Sequence, residues 1–149
     1  MAGVRSLSVA VSTGRVSTVY FIGKEVVGWK QSRTAAKNTQ NAARITQAWV
    51  RGFKPDIMLC EQSQTASCKG LHAQTVLETI ATVFENADGL DIRLPRIQSY
   101  QNKYVEAKAL AAKYPALADL CPEQPPIWLP EPRNMGYFEA LALFDALHN

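Results

Sequence analysis

The spacing of apolar residues changes once along this chain, and that change restricts the fold more than any other feature of the sequence. The first part contains three short segments rich in β-branched and small residues, at Ser6–Val11, Val16–Ile22 and Val26–Lys30. Turn signals that include Gly14 and Gly23 separate them. Short segments of this kind joined by tight turns predict a three-stranded antiparallel meander.

The second part of the chain alternates helical and strand-like segments. Over Thr39–Phe53 the apolar residues recur at helical spacing. Asp56–Cys60 is a short apolar run typical of a strand buried on both faces, and it ends at Glu61. The elements expected after it are a helix from about Leu71 to Asn86, a strand at Leu90–Leu94, a helix at Tyr104–Tyr114, an extended proline-rich loop at Pro115–Pro132, and a last helix at Tyr137–Leu147.

The predicted element order is therefore β-β-β-α-β-α-β-α, without an internal repeat. An antiparallel meander followed by strand–helix alternation implies an α/β fold. Its sheet is mixed and five-stranded, with three antiparallel strands and then two parallel ones, and helices flank it. The length of 149 residues suits one domain over residues 1–149 with a substantial core.

The composition places the chain among soluble globular proteins and leaves its partner open. Hydrophobic residues make up 47% of the chain and charged residues 19%. The net charge of +3 permits a nucleic-acid partner without requiring one. The sequence has neither the apolar run of ~20 residues that a membrane span needs nor a signal-peptide core. We therefore expect a cytoplasmic protein with no membrane partner.

The three cysteines, Cys60, Cys68 and Cys121, form neither an even set nor a Cys-x-x-Cys pair. Such usage suits a reducing compartment better than a disulfide framework. Cys68 and His72 have the spacing of two metal ligands on one helical turn, but no second ligand pair of standard zinc spacing accompanies them. We therefore do not expect a zinc site.

Short stretches at the ends of the predicted elements resemble the motifs of one nuclease family. They are Ser12–Gly14 with Thr18–Tyr20 after the first strand, Glu61–Gln62 at the end of the fourth strand, Leu71–Gln74 in the next helix, and Gly136–Ala142 in the last helix. In this order the stretches resemble the motifs of RuvC-type Holliday junction resolvases. The resemblance covers the whole chain in element order and implies an RNase H-like fold.

The resemblance also implies an acidic site for Mg²⁺, because RuvC-type nucleases use two metal ions ~4 Å apart that several carboxylates hold. Carried over residue by residue, it makes Glu61 and Glu139 the candidate metal ligands and catalytic residues. Ser12 stands at the first-strand acid position and is the third candidate catalytic residue. Gly136 stands where the last helix of the family carries another acid. Asp145 cannot replace that acid, because it lies about 120° around the helix from Glu139. The implied Mg²⁺ site is therefore incomplete.

The resemblance further indicates residues that would contact a DNA backbone. Lys103 and Lys108 lie where relatives carry lysines toward DNA, and Lys69 lies in the loop after the fourth strand. The arginines that would add phosphate contacts from neighbouring loops are Arg93, Arg96 and Arg133. Such contacts bind phosphate independently of base sequence. The alternative is that these residues form an ordinary solubilising surface. We expect Trp29 and Trp49 in the core rather than on a base-stacking surface.

Three functions fit these observations. The first is a metal-dependent endonuclease acting on branched DNA through Glu61 and Glu139, with Ser12 or water completing the metal shell. The second is a catalytically inactive relative that binds nucleic acid or a protein partner. The third, a fragment of an actin-like ATPase, depends on the Ser12–Gly14 turn and is disfavoured because the chain is too short for two nucleotide-enclosing lobes. A homodimer through the helix at Leu71–Asn86 would match a two-fold DNA junction.

Overall fold

In the computed structural model, which describes residues 3–12, 14–62, 70–96 and 100–148, the chain forms a five-stranded sheet with helices on both faces. The strands are β1 (Arg5–Ser12), β2 (Arg15–Ile22), β3 (Glu25–Ser32), β4 (Ile57–Glu61) and β5 (Leu90–Leu94). Their order across the sheet is β3-β2-β1-β4-β5. Neighbours among the first three strands pair antiparallel, and β4 pairs parallel with both β1 and β5. The predicted α/β fold with a mixed sheet is confirmed.

Within the described ranges, four α-helices cover the sheet in two pairs. They are α1 (Thr39–Phe53), α2 (Leu71–Glu85), α3 (Lys103–Lys113) and α4 (Met135–His148). The first pair, α1 and α2, packs on one face of the sheet, and α3 and α4 pack on the other. None of these helices combines the length and the apolar character that crossing a membrane requires.

The proline-rich stretch differs at its beginning from the extended loop that the sequence predicts. Pro115–Leu120 forms a short 3-10 helix. A proline suits the first turn of a helix because its missing N–H has no partner there in any case. Leu117 within this turn is fully buried, so the segment gains apolar contacts that an extended loop would lack.

β1 contributes to both halves of the core, because its side chains alternate between the two faces of the sheet. Leu7 and Val9 join the cluster that includes Trp49 on α1. Ala10 joins the opposite cluster, which includes Phe144 on α4. The candidate site residues lie on the side of Ala10, and we call this side of the sheet the α4 face.

The two tryptophans expected in the core lie in different environments. Trp49 is 7% exposed, as predicted. The prediction is wrong for Trp29, whose side chain is 39% exposed on β3. The reason is the strand order: β3 is an edge strand, and the helices of the α4 face do not cover it fully.

Candidate functional site at the start of the last helix

α4 lies directly on β1, and a buried hydrogen bond fixes its position. The hydroxyl of Ser8, which is fully buried, donates to the carbonyl oxygen of Ala140 at 2.7 Å. Ser8 and Ser12 are four residues apart on β1 and therefore both face α4. The hydrogen bond thus determines which turn of α4 meets the end of β1. That turn carries Gly136 and Glu139.

Glu61 ends β4 and is 4% exposed. It shares the α4 face with the buried Leu59, because side chains two residues apart lie on the same side of a strand. Leu59 pairs with Ser8 in the parallel register, and the same offset continued by two residues places Ala10 level with Glu61. The β1 side chain beside Glu61 is therefore a methyl group. The predicted partner, Ser12, lies two residues farther along β1.

Gly136 meets the sheet through its backbone, and a side chain does not fit there. A Cβ atom added to Gly136 would clash with the Ser17 hydroxyl and would lie 3.0 Å from the Ser12 hydroxyl. The first turn of α4 therefore packs closely on β1 and β2. The volume that an acidic side chain would need at this position is already filled by the two serines.

Arg96, in the segment after β5, places a positive charge in this site. Its Nη2 lies 2.5 Å from Oε1 of Glu106 on α3, and the two side chains are 16% and 9% exposed. Burial lowers the pKa of the guanidinium, but the hydrogen bond and negative charge of Glu106 reverse the shift, and the pKa of Arg96 is raised overall. The negative charges of Glu139 and Glu61 raise it further.

The start of α3 is positioned so that Glu106 reaches this arginine. The side chain of Asn102 accepts hydrogen bonds from the backbone N–H groups of Tyr104 and Val105, at 2.9 and 3.0 Å. This cap begins the helix at Lys103 and puts Glu106 in its first turn. The guanidinium of Arg96 thus pairs with Glu106, and the charges of the two predicted acids, Glu61 and Glu139, act on it as well.

The residues of this site do not fit two Mg²⁺ ions. Across residues 3–12, 14–62, 70–96 and 100–148, no group of three or more His, Cys, Asp or Glu side chains is arranged to hold a metal ion. Ala10 and Gly136 supply no ligand atom, whereas Mg²⁺ requires several hard oxygen ligands. The positive charge of Arg96, which is paired with Glu106, also repels a cation. The assignment of Glu61 and Glu139 as metal ligands stays a prediction.

The lysines expected to contact DNA do not form one patch in the described part of the chain. Lys103 pairs with Glu131. Lys108 is exposed and lies two residues from Glu106, about 200° around α3 from the side that meets the site. Lys69 lies outside the described residues. Their contacts with DNA stay predictions.

The three arginines with expected phosphate contacts have three different environments. Arg93 pairs with Glu78 and Glu85 of α2, on the opposite face of the sheet. Arg96 forms the buried pair described above. Arg133, just before α4, is exposed. One of the three therefore keeps its charge available at the surface.

Two further residues considered from the sequence have structural partners elsewhere. A ring nitrogen of His72 lies 2.6 Å from a backbone carbonyl oxygen in the segment before α1. Cys68, its predicted neighbour, lies outside the described residues. Asp145 accepts a hydrogen bond from the Tyr114 hydroxyl at 3.0 Å and pairs with Lys113 at 2.6 Å. Asp145 therefore links α4 to α3, away from Glu139.

The helix predicted to form a dimer contact, α2, has a polar outer face. Its exposed positions include Thr75, Glu78, Thr82 and Glu85, and the one large apolar side chain exposed on it is Leu71 at its start. Permanent subunit interfaces are more apolar than this. A homodimer stays a prediction, and α2 does not have the composition of a permanent interface.

Solved structures with this architecture include a bacterial RuvC and a viral resolvase. The chain aligns with Thermus thermophilus RuvC at 9% identity and a TM-score of 0.53, covering 93% of this chain and 91% of that chain. For T. thermophilus RuvC in complex with a Holliday junction substrate, the identity is 11% and the TM-score 0.57, with 97% and 94% covered. The fold is RuvC-like. Fowlpox virus resolvase, in complex with its substrate Holliday junction DNA, aligns at 14% identity and a TM-score of 0.56, with 97% and 99% covered. No protein-family model matches the sequence, and no curated protein is similar to it in sequence.

The roles of Glu61 and Glu139 stay predictions, and the sequence analysis did not identify two residues near them, Ala10 and Arg96, that affect whether they could hold a metal. The motif match aligned Ser12 with the first-strand acid, whereas the strand register sets Ala10 beside Glu61. Arg96 was grouped with surface cations, because its pairing with Glu106 depends on how α3 packs. A cap at Asn102 would have indicated where α3 begins and that Glu106 lies in its first turn, but not that Arg96 packs against it.

Proposed function

We propose that this protein binds branched DNA and leaves its strands intact, because it lacks a complete two-metal site. The observation that carries the proposal is that Ala10 and Gly136 stand where a two-metal site would need acids in addition to Glu61 and Glu139. Those two acids are the ones that RuvC-type chemistry would use as metal ligands. The positive charge of Arg96, which is paired with Glu106, further opposes the binding of a cation near them.

The likeness to resolvases supports branched DNA as the ligand. Two of the matching structures are resolvases described in complex with Holliday junction DNA, and each covers 97% of this chain. The net charge of +3 is compatible with binding a phosphate backbone. A two-fold junction would be matched by a homodimer, which we include in the proposal.

A metal-dependent endonuclease is the second candidate, and one observation favours it. The charges of Glu61 and Glu139, two of the acids implied by the RuvC resemblance, both act on Arg96. If DNA displaced Arg96 from Glu106, the carboxylates of Glu61 and Glu139 would be free to hold Mg²⁺, with water completing the metal shell. That chemistry would be cleavage of the DNA backbone by activated water.

A binding and cleavage assay separates the two candidates. The probes are a four-way DNA junction and a linear duplex built from the same sequences, each with EDTA, Mg²⁺ or Mn²⁺. We expect the protein to shift the junction more strongly than the duplex, to release it as salt rises, and to leave its strands intact.

The control is Glu25→Gln, since Glu25 is an exposed acid on β3. If the wild type cleaved DNA, and this cleavage disappeared in Glu61→Gln but persisted in Glu25→Gln, the protein would be a nuclease and the non-cutting proposal would be wrong. Absence of binding to both DNA probes at low salt would contradict both candidates.

A further inference from the structure

A cavity of about 400 Å³ opens on the α4 face near the edge of the sheet. The residues that carry its chemistry are Arg15, Arg33, Arg133, Trp29, Tyr137 and Gln31. They come from β2, β3, the turn after β3 and the start of α4. In the sheet, β2 and β3 lie on one side of β1, whereas β4 and β5 lie on the other. The cavity is next to β2 and β3 and Arg96 follows β5, so they flank α4 from opposite sides.

Hydrogen bonds fix the shape of this cavity. The side-chain amide of Gln31 on β3 donates to the carbonyl oxygen of Arg133 at 2.6 Å and to the Ser17 hydroxyl at 3.0 Å. These bonds join the edge strand, β2 and the turn before α4. The close approach of Gly136 to Ser17 holds the first turn of α4 against the same strands. The cavity is therefore built from connected elements rather than from independent surface side chains.

The charge of the cavity is positive. No acidic residue is among the described residues that line it. Unlike Arg93 and Arg96, the guanidinium groups of Arg15, Arg33 and Arg133 form no ion pair with an acid in the part of the chain that the structure describes. Like charges around one opening repel each other, so a bound anion would stabilise them.

The cavity also has aromatic groups. The indole of Trp29 is partly exposed on the edge strand. Tyr137 is buried, and burial raises the pKa of its hydroxyl although the charge of Arg133 opposes the shift. The hydroxyl therefore stays protonated at neutral pH and is able to donate a hydrogen bond. An aromatic face beside guanidinium groups is the combination that binds unpaired nucleotides, because bases stack on rings and arginines bind phosphate.

We propose that this cavity binds an unpaired nucleotide of a DNA strand. Trp29 stacks on the base, and Arg15, Arg33 and Arg133 bind the phosphates that flank it. The volume lies within the range of ordinary small-ligand sites. The inference rests on the proposed function and extends it: the protein recognises unpaired nucleotides in addition to duplex arms.

The test uses a short fluorescein-labelled oligothymidylate strand, with binding followed by fluorescence anisotropy. We expect Trp29→Ala to weaken binding about tenfold, and Trp29→Phe, which keeps a ring, to weaken it less. We expect Arg33→Gln to weaken binding and to reduce the slope of log affinity against log salt by about one. Arg51→Gln is the matched control, since Arg51 is exposed on α1 on the opposite face of the sheet, and it should bind like the wild type.

Each variant is first compared with the wild type by circular dichroism and thermal unfolding. If Trp29→Ala fails to fold, Trp29→Phe and Arg33→Gln decide the question. If the wild type binds the four-way junction and the folded cavity variants bind the single strand as tightly as the wild type does, this inference is overturned and the proposed function stays intact. A wild type that binds neither the strand nor the junction would overturn both. If Arg51→Gln weakened strand binding as much as Arg33→Gln does, the inference would also be overturned, because such a result would indicate nonspecific electrostatic binding.

Discussion

Gly136 on α4 approaches the Ser17 side chain on β2 so closely that no methyl group fits between them. This contact lies where a RuvC-type last helix would carry an acid. It gives a prediction that concerns packing alone. Alanine is normally better than glycine within a helix by ~1 kcal/mol. At Gly136 we expect the reverse, because the added methyl group would overpack the interface and lower the free energy of unfolding by about 1–3 kcal/mol.

The control is another helical glycine. Gly52 on α1 has no atom within 4 Å of an added Cβ, so Gly52→Ala should leave stability unchanged or raise it. Urea unfolding of both variants against the wild type measures the difference. A Gly136→Ala protein as stable as Gly52→Ala would contradict the close packing described for α4.

The second prediction concerns the buried ion pair. Arg96→Gln removes one partner and leaves Glu106 buried without its counter-charge, so we expect a loss of about 3 kcal/mol in the free energy of unfolding. Arg93→Gln is the matched control. Arg93 and its partners on α2 are 34–53% exposed. Exposed pairs of this kind contribute ~0–1 kcal/mol. Equal losses in the two variants would show that the Arg96 pair is not effectively buried.

The third prediction follows from the charges that Arg96 balances. Arg96→Gln removes a positive charge that pairs with Glu106 and on which Glu61 and Glu139 act, and carboxylate oxygens are the ligands that hard divalent ions prefer. We expect Mn²⁺ to raise the melting temperature of Arg96→Gln and to leave that of the wild type unchanged, because a ligand that binds only the folded state stabilises it. The Mn²⁺ effect should disappear in the double variant Arg96→Gln/Glu61→Gln. A wild type stabilised by Mn²⁺ to the same extent would indicate that Arg96 does not replace a metal.

The sequence predicted the elements of this fold well because their signals are local. The strand at Leu90–Leu94 has the predicted bounds, and α4 begins at Met135, two residues before the predicted start. Periodicity and turn residues are read within one segment, so they do not depend on what packs against it. The family resemblance then added the order in which the elements assemble.

The site was less predictable because its decisive relationships are not local. That Ala10 rather than Ser12 stands beside Glu61 follows from the parallel register of β1 and β4, which no motif specifies. The exposure of Trp29 follows from the position of β3 at the sheet edge. The partner of Arg96 is ten residues away along the chain, on a helix whose orientation depends on tertiary packing.

The last prediction concerns pH and the buried thiol of Cys60. Burial raises the pKa of Cys60 from 9.0 to about 12, although the charge of Arg93 partly opposes the shift. The unfolded chain therefore loses this proton at lower pH than the folded protein does. The resulting stabilisation of the fold is complete below pH 9 and is lost as pH rises through about 12.

Cys60→Ala lacks this group and serves as the reference. Tyr20, whose pKa burial raises to about 12, is present in both proteins, so its contribution cancels in the comparison. We expect the wild type to lose stability relative to Cys60→Ala as urea unfolding is repeated at increasing pH above 9. Below that pH the difference should be constant and should reflect only the packing of the side chain. Parallel stability curves up to about pH 12 would mean that the Cys60 thiol ionises equally in both states, and hence that the core between β4 and α2 admits water.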